Sequence, residues 1–307
     1  MAKPETPDIL VWEGERIARR TLLTRGSLLL APGVGWLMVL LVLPCLGAVA
    51  LMFATKGDYG TVEWTFTLTN ITRLLGFGIL GWSADILRVL SRTLVLAALT
   101  TAVSLLMAAP LAFFVASRPT GSRWVWLLFL IVPQSVNLVI RTSGWMMLFA
   151  PGSPLTAAAI QLGLVADGMA LFPGILAVTA GMVSNALPFA VLPLYSSVER
   201  LDTSLIDAAQ DLYASPWQTF RHAIWPQIRP GAMVALVLTF VPSMGMFLVS
   251  DLLGGAKNLL VGNLVAQQFG TSRDWPFGAA ISVTLMSLTM VGVLVLRRYE
   301  GREGVPT

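Results

Sequence analysis

The sequence predicts an all-α membrane protein of about six transmembrane helices. Of its 307 residues, 56% are hydrophobic and only 12% are charged, which is about half the charged fraction of a soluble domain. So few charges cannot cover a water-facing surface, and they are clustered between long apolar runs. A helix crosses the hydrocarbon core in about 20 residues, whereas a transmembrane barrel would show short alternating segments.

Six apolar segments are long enough to be spans. One begins at Trp124 and continues past Arg141, and the other five contain no Asp, Glu, Lys or Arg. Those five are Ser27–Thr55, Thr93–Ser117, Gly168–Val198, Pro230–Ser250 and Trp275–Leu296. We expect a six-helix transmembrane domain at 27–298, an N-terminal tail at 1–26 and a C-terminal tail at 299–307. The first run is longer than a cleaved signal, which favours a retained helix.

The basic residues predict the orientation in a bacterial cytoplasmic membrane. With the N-terminus inside, six spans return the C-terminus to the same side. The inside segments then carry about twice as many of the 20 Lys and Arg residues as the outside segments, as the positive-inside rule requires. Both termini are therefore expected in the cytoplasm, and Glu199–Arg229 becomes the longest cytoplasmic connection. The net charge of +4 reports this topology, so we expect no nucleic-acid partner.

Two helix-start patterns divide this connection. Ser204 followed by Asp207 predicts a capping box, and Ser215 with Pro216 and Gln218 predicts another. The second helix is expected to end at Pro226, and the next span to begin at Pro230–Gly231. On periodicity alone, two interpretations remain open for this helix pair. It either lies on lipid or inserts into a groove on a partner protein.

The connection resembles the coupling motif of permease subunits in binding-protein-dependent ABC importers, which has an acid, two alanines, a Gly-Ala pair, a Phe and a closing Pro-Gly. The residues at motif positions are Asp207, Ala208, Ala209, Ala214, Phe220, Pro226, Pro230 and Gly231. Asp207 replaces the usual Glu, and Tyr213, which we include in the set, replaces the usual Gly. The resemblance implies a type I importer permease fold with a coupling loop at about 202–231.

The same resemblance implies several partners. A cytoplasmic ABC ATPase dimer would hold ATP and Mg and bind the coupling loop, so no cofactor is expected in this chain. A second permease subunit, for which the family favours a different chain, would complete the pore in the lipid bilayer. A periplasmic or extracellular solute-binding protein would deliver the solute. The chain itself is then a transport subunit without enzymatic activity.

Four further segments are similar to the spermidine/putrescine group of these permeases. They are Asn137–Thr142, Leu187–Tyr195, Asp251–Gly255 and Arg273–Ala280. The resemblance implies transport of a polyamine or a related amine-containing compound. Met246, however, stands where that group usually has Glu. An intramembrane carboxylate is the simplest way to hold a cationic amine, so this departure weakens the case for direct amine binding by this subunit.

Polar and unusual residues near these segments are candidates for the substrate pathway. The candidates are Asn137, Arg141, Trp145, Asn185, Ser243, Met246 and Asp251. Arg141 is the only charge within an expected span, and two roles stay open for it: a gate in the pathway, or an anchor to headgroups or a carbonyl. For the uncharged polar residues, and for Gln134, interhelical hydrogen bonding is the commoner role.

Other classes of function have little support in the sequence. Cys45 and His222 are the sole residues of their types, and the chain contains neither a Walker-type loop nor a recognisable catalytic or metal-ligating set. The alternative is an ion-driven secondary transporter that works without an ATPase. That class typically shows inverted repeats and intramembrane acids, and the centres of the expected spans contain no acid. Copurification of an ATPase from membranes would separate the two hypotheses.

Overall fold

The computed structural model describes residues 13–78, 81–163, 171–255 and 259–302. In these ranges the regular structure is helical apart from two short hairpins, which confirms the all-α prediction. Five of the described helices are long and apolar enough to cross a membrane, and a bent helix pair raises the number to six if it counts as one span. The first part of the expected N-terminal tail, 1–12, and most of the C-terminal tail, 303–307, lie outside the described residues.

The helices in chain order are α1 (Glu13–Met52), α2 (Thr69–Leu74), α3 (Asp85–Ala116), α4 (Thr120–Ile131), α5 (Leu138–Phe149), α6 (Pro154–Gln161), α7 (Ile175–Glu199), α8 (Thr203–Asp211), α9 (Pro216–Thr219), α10 (Trp225–Gly245), α11 (Phe247–Gly254), α12 (Val261–Phe269) and α13 (Trp275–Arg302). Between α1 and α3, strand β1 (Thr55–Lys56) pairs antiparallel with β2 (Val62–Glu63), and β3 (Phe77–Gly78) pairs with β4 (Gly81–Trp82).

Small residues hold the centre of the bundle together. Helices α3, α7 and α10 pack against one another, and Ala108, Ala190 and Ala235 on these three helices are fully buried. Between membrane helices, association depends on van der Waals packing, and small side chains allow the close approach that this packing needs. The three helices therefore form a rigid core that positions the loops at both ends.

Helix α1 lies at the edge of the bundle against α13. The apolar side chains of its described part, such as Trp36, Leu37 and Leu41, are exposed. A stretch of Leu30–Met52 with no buried residue and high hydropathy has the surface that a helix presents to lipid. The structure thus supports a membrane-spanning helix at this position.

The sequence predicted a span from Trp124 to beyond Arg141, and in the structure the helix of this span is broken. The helical segments Thr120–Ser135 and Leu138–Phe149 meet at an angle of 95°, and we call them together the broken span. A 3-10 turn at Val132–Ser135 is followed by extended backbone at Val136. Asn137 then caps α5 by accepting a hydrogen bond from the backbone amide of Val139, so a new helix starts in a new direction.

The expected span Pro230–Ser250 also differs from the structure. A continuous helical segment runs from Pro216 to Gly245 and includes a π-helical stretch at Phe220–Ile224. Pro226 does not end the helix, because the π-helical stretch changes the hydrogen-bond pattern directly before it and places Pro226 in the first turn of α10, where the missing amide hydrogen is tolerated. The segment ends at Gly245, and α11 is a separate short helix.

Candidate functional site

The first helix of the coupling loop, residues 202–231, is α8. Its cap is Asp202, whose carboxylate accepts a hydrogen bond from the backbone amide of Ser204 at 2.9 Å. The predicted cap at Ser204 is therefore wrong, because an acid two residues earlier already receives the amide of Ser204. Hydrogen bonds from the Ser204 side chain and backbone hold the pKa of the Asp202 carboxyl below its usual value.

A tight turn ends α8. The amide of Ala214 donates to the carbonyl of Ala209 at 3.0 Å, and the amide of Tyr213 donates to the carbonyl of Gln210 at 2.9 Å. This is the Schellman pattern, in which the residue after the cap is left-handed and usually Gly. Tyr213 adopts this conformation with φ of 56°, and its side chain is 96% exposed. The chain thus keeps the bend that the family motif builds with Gly.

The second helix of the coupling loop begins as predicted. Ser215 and Gln218 form a reciprocal capping box, with Pro216 in the first turn. Phe220 stacks against Trp217 with ring centroids 5.8 Å apart and packs against the buried core between α3, α7 and α10. The coupling loop is therefore joined to the bundle by a continuous helix on one side and by the end of α7 on the other.

One face of α8 is apolar and uncovered. Leu205, Ala208 and Leu212 recur at the spacing of a single helical face; all three are exposed, Leu212 by 82%. Asp207 is exposed beside them. An exposed apolar helix face of this kind suits insertion into a groove, and it leaves Ala208 free to be substituted without disturbing the packing of the chain itself.

Gly231 lies where α10 crosses α7. A Cβ atom at this position would overlap the Ser197 hydroxyl oxygen and would lie 2.6 Å from the carbonyl oxygen of Pro193. We expect Gly231→Ala to lower the stability of the bundle by about 1–3 kcal/mol through overpacking, measured as thermal unfolding in detergent. Gly245→Ala on the same helix is the matched control, since a Cβ there meets nothing within 4 Å. Equal unfolding temperatures for the two variants would contradict the prediction.

Arg141 links the two parts of the broken span to α7. Its guanidinium donates to the carbonyl oxygen of Pro133 at 2.9 Å, to Oε1 of Gln134 at 2.5 Å and to Oδ1 of Asn185. Gln134 in turn donates to the backbone carbonyl of Asn185 at 2.9 Å, and Nδ2 of Asn185 donates to the carbonyl of Gly181. We call this set the Arg141 cluster. All three acceptors of the guanidinium are neutral oxygens.

The other pathway candidates have different surroundings. Trp145, one turn after Arg141 on α5, donates to the hydroxyl of Ser184 at 3.0 Å. Ser243 is buried and donates to the carbonyl of Thr239 in its own helix at 2.6 Å, while Met246 packs against the core between α7 and α11. Asp251 is exposed on α11. The structure joins Arg141 and Asn185 directly and places Asn137 at the start of α5.

Several residues of this region were not singled out from the sequence. Ser184 binds Trp145, and Asn263 on α12 donates to the carbonyl of Phe247 at 3.2 Å and to Asp251 at 3.4 Å. Ser184 could have been found from the sequence, because it and Asn185 are adjacent polar residues inside an apolar run. Asn263 could not, because it follows a loop and its partners lie 12 and 16 residues away.

The loop between α1 and α3 forms a cavity of about 920 Å³, with charged and aromatic residues in its lining, at the other end of the bundle from the coupling loop. Arg73 on α2 forms an ion pair with the buried Asp274 at 3.0 Å and lies 4.0 Å from the ring of Phe277. Lys56 donates to the carbonyl of Ser272 at 2.8 Å. These contacts attach the loop between α1 and α3 to the start of α13.

The fold and the coupling loop together define a membrane-embedded transport subunit. The sequence matches the family described as binding-protein-dependent transport system inner membrane component over residues 108–302. The chain belongs to this family. It is therefore a multi-pass inner-membrane protein, the permease subunit of an ABC importer with the all-α type I fold, and the ATPase of such importers is a separate subunit.

Individual relatives are consistent with this assignment. The spermidine/putrescine transport system permease protein PotB of Escherichia coli (strain K12) is 41% identical over 266 residues, covering 87% of this chain and 93% of the relative. PotB of Haemophilus influenzae is 34% identical over 263 residues, covering 86% and 90%. The crystal structure of a bacterial ABC transporter that imports the acidic polysaccharide alginate shares the fold, with a TM-score of 0.66 and 16% identity, covering 94% of this chain and 98% of that one.

Proposed function

We propose that this permease subunit passes a polyamine, or a related amine-containing solute, across the inner membrane. The observation that carries the proposal is the 41% identity to a spermidine/putrescine permease over almost the whole of both chains. The family match over residues 108–302 includes all of the pathway candidates. Asp251, an exposed carboxylate on α11, is a candidate to attract the amine, since Met246 occupies the position of the usual Glu.

The proposed energy source for transport is a cytoplasmic dimer of ABC ATPase subunits, which hold ATP and Mg. The exposed face of α8, at Leu205, Ala208 and Leu212, is the proposed docking surface for one of these subunits. A second permease subunit, a different chain, completes the pore. ATP binding then supplies the difference in affinity that shifts the paired permeases between inward-facing and outward-facing states.

The proposed orientation places the coupling loop and both termini in the cytoplasm. The loop between α1 and α3 then faces outwards, where its 920 Å³ cavity offers a docking surface for the solute-binding protein. The excess of Lys and Arg on the coupling-loop side supports this orientation. Labelling of single cysteines introduced at Leu212 and Trp82 with a membrane-impermeant reagent in whole cells tests this orientation. We expect reaction at 82 and not at 212, and reaction at 212 alone would contradict the proposed orientation.

The experiment for the proposed solute is uptake into proteoliposomes. This chain is reconstituted with its second permease, ATPase and binding protein, and radiolabelled spermidine and putrescine are supplied outside. We expect accumulation that requires internal ATP and Mg, and competition by other linear polyamines but not by neutral sugars. Vesicles loaded with ADP are the control. ATP-driven uptake of a different solute, without competition by polyamines, would contradict the proposed substrate class.

A further inference from the structure

The coupling loop is connected to the bundle at few points, and this limits how its movement can be transmitted. The face of α8 that carries Leu205, Ala208 and Leu212 is exposed, so it offers no packing to the bundle. On the downstream side, Gln227 of α10 accepts a hydrogen bond from the amide of Asp202 at 2.9 Å. On the upstream side, only residues 200–202 separate α8 from the end of α7.

A polar cluster lies at this upstream end. Glu199, the last residue of α7, accepts a hydrogen bond from Nη1 of Arg123 on α4 at 2.9 Å. The Nε atom of Arg123 also donates to the carbonyl of Arg118 at 2.8 Å. The side chain of Tyr195, one turn before Glu199, lies next to both partners and is itself buried in the core. We call Arg123, Glu199 and Tyr195 the α4–α7 clamp.

The clamp is a partly exposed ion pair between two helices. The side chains of Arg123 and Glu199 are 24% and 40% exposed, so solvent screens their attraction on the Glu199 side, while the charge-assisted hydrogen bond is stronger than a neutral one. Each charge is also placed at the unfavourable end of its own helix. Arg123 lies near the positive N-terminus of α4 and Glu199 lies at the negative C-terminus of α7, so neither stabilises its helix dipole. The favourable partner of each charge is therefore the other one.

The position of the clamp connects two parts of the molecule. Glu199 is three residues before the cap of α8, and Arg123 is in the first half of α4, the helix that leads to the 95° break and the Arg141 cluster. We propose that the α4–α7 clamp transmits displacement of the coupling loop to the broken span. This inference rests on the proposed coupling of the loop to an ATPase. Arg123 and Glu199 act as positioning residues and contact no solute.

A charge exchange tests the clamp. The full importer is reconstituted with Arg123→Glu, Glu199→Arg or both substitutions, and uptake and ATP hydrolysis are measured in the same vesicles. We expect each single variant to lower the number of solutes imported per ATP by at least about fivefold, the lower end of ordinary coupling energies. The double variant should restore the ratio to within about twofold of wild type, since the pair is re-formed and both charges then suit their helix dipoles.

The chain offers a matched control. Arg88 and Asp85 form an ion pair at 3.4 Å whose side chains are 77% and 74% exposed. Arg88→Glu should therefore leave the number of solutes imported per ATP unchanged. If a single charge reversal prevents assembly, Arg123→Gln and Glu199→Gln, each of which removes one charge of the ion pair, take its place and should also lower the number of solutes imported per ATP. Normal ratios in the single variants, or failure of the double variant to restore the ratio at wild-type membrane levels and unfolding temperature, would overturn the inference.

The outcomes for the clamp and for the proposed function are distinguishable. The number of solutes imported per ATP is measured with whichever solute the wild-type importer takes up. Absence of polyamine uptake by the wild type contradicts the substrate class and leaves the ratio measurable with the solute that is imported. ATP-independent uptake by this chain alone would contradict the coupling role, and with it the clamp.

Discussion

Ala208→Lys should leave this permease in the membrane at normal levels and reduce ATP-driven uptake by at least about tenfold. Ala208 is exposed on the apolar face of α8, so a lysine there meets no part of the chain itself. In a docking groove, the added bulk and charge must either displace the helix or be buried without a partner, at a cost of about 2 kcal/mol or more. Uptake and ATP hydrolysis in proteoliposomes measure the loss of coupling.

Gln210→Lys is the matched control for this prediction. Gln210 is also exposed on α8, but it lies on the opposite side of the helix from Ala208 because two residues turn a helix by about 200°. The control adds the same side chain to the same helix, and we expect its uptake to stay within about twofold of wild type. Normal uptake by Ala208→Lys would contradict the assignment of the docking face.

Arg141→Leu should lower the stability of the purified permease complex by about 2–4 kcal/mol and abolish uptake. The substitution leaves the carbonyl of Pro133, Oε1 of Gln134 and Oδ1 of Asn185 without their charged donor. Hydrogen bonds to a charged group contribute about 1.5–3 kcal/mol each, and a buried acceptor left unpaired adds a desolvation penalty. Thermal unfolding in detergent measures the first effect, and proteoliposome uptake measures the second.

Arg141→Lys provides the internal comparison. A lysine keeps the charge but lacks the planar fork that reaches several acceptors together, so we expect an intermediate loss of stability. Arg88→Leu is the exposed control and should change the unfolding temperature little. If Arg141→Leu unfolds at the wild-type temperature yet leaks solute without ATP, Arg141 is a gate and not an anchor of the broken span.

The location of the helices followed from the sequence because transfer of charge into the bilayer core is costly. Long runs without Asp, Glu, Lys or Arg could only be membrane helices, and the structure has helices at each of them. The coupling loop was also recognisable, since Ser215, Pro216 and Gln218 are local capping signals and the family motif has fixed spacing. Such features depend on neighbours within a few residues, which a sequence displays directly.

The interruptions of the helices were harder to predict. Pro133 and Pro226 are the same residue type, yet the chain bends by 95° after the first and continues through the second. Near Pro133, Arg141 donates to the carbonyl of Pro133 at the break. At Pro226, the π-helical stretch directly before it places the proline in the first turn of α10, which needs no amide hydrogen. The break at Pro133 thus involves a partner 8 residues away, which local patterns do not reveal.

The sequence by itself determined that this protein is a helical membrane subunit, because hydrophobic length decides that feature, and its resemblance to a family motif of fixed spacing identified the coupling loop. Only the tertiary structure decided which polar groups meet: Arg141 with Asn185, and Arg123 with Glu199 across 76 residues of chain. The physical reason is that a polar group in a membrane bundle must find a partner, but the choice of partner depends on how the helices pack.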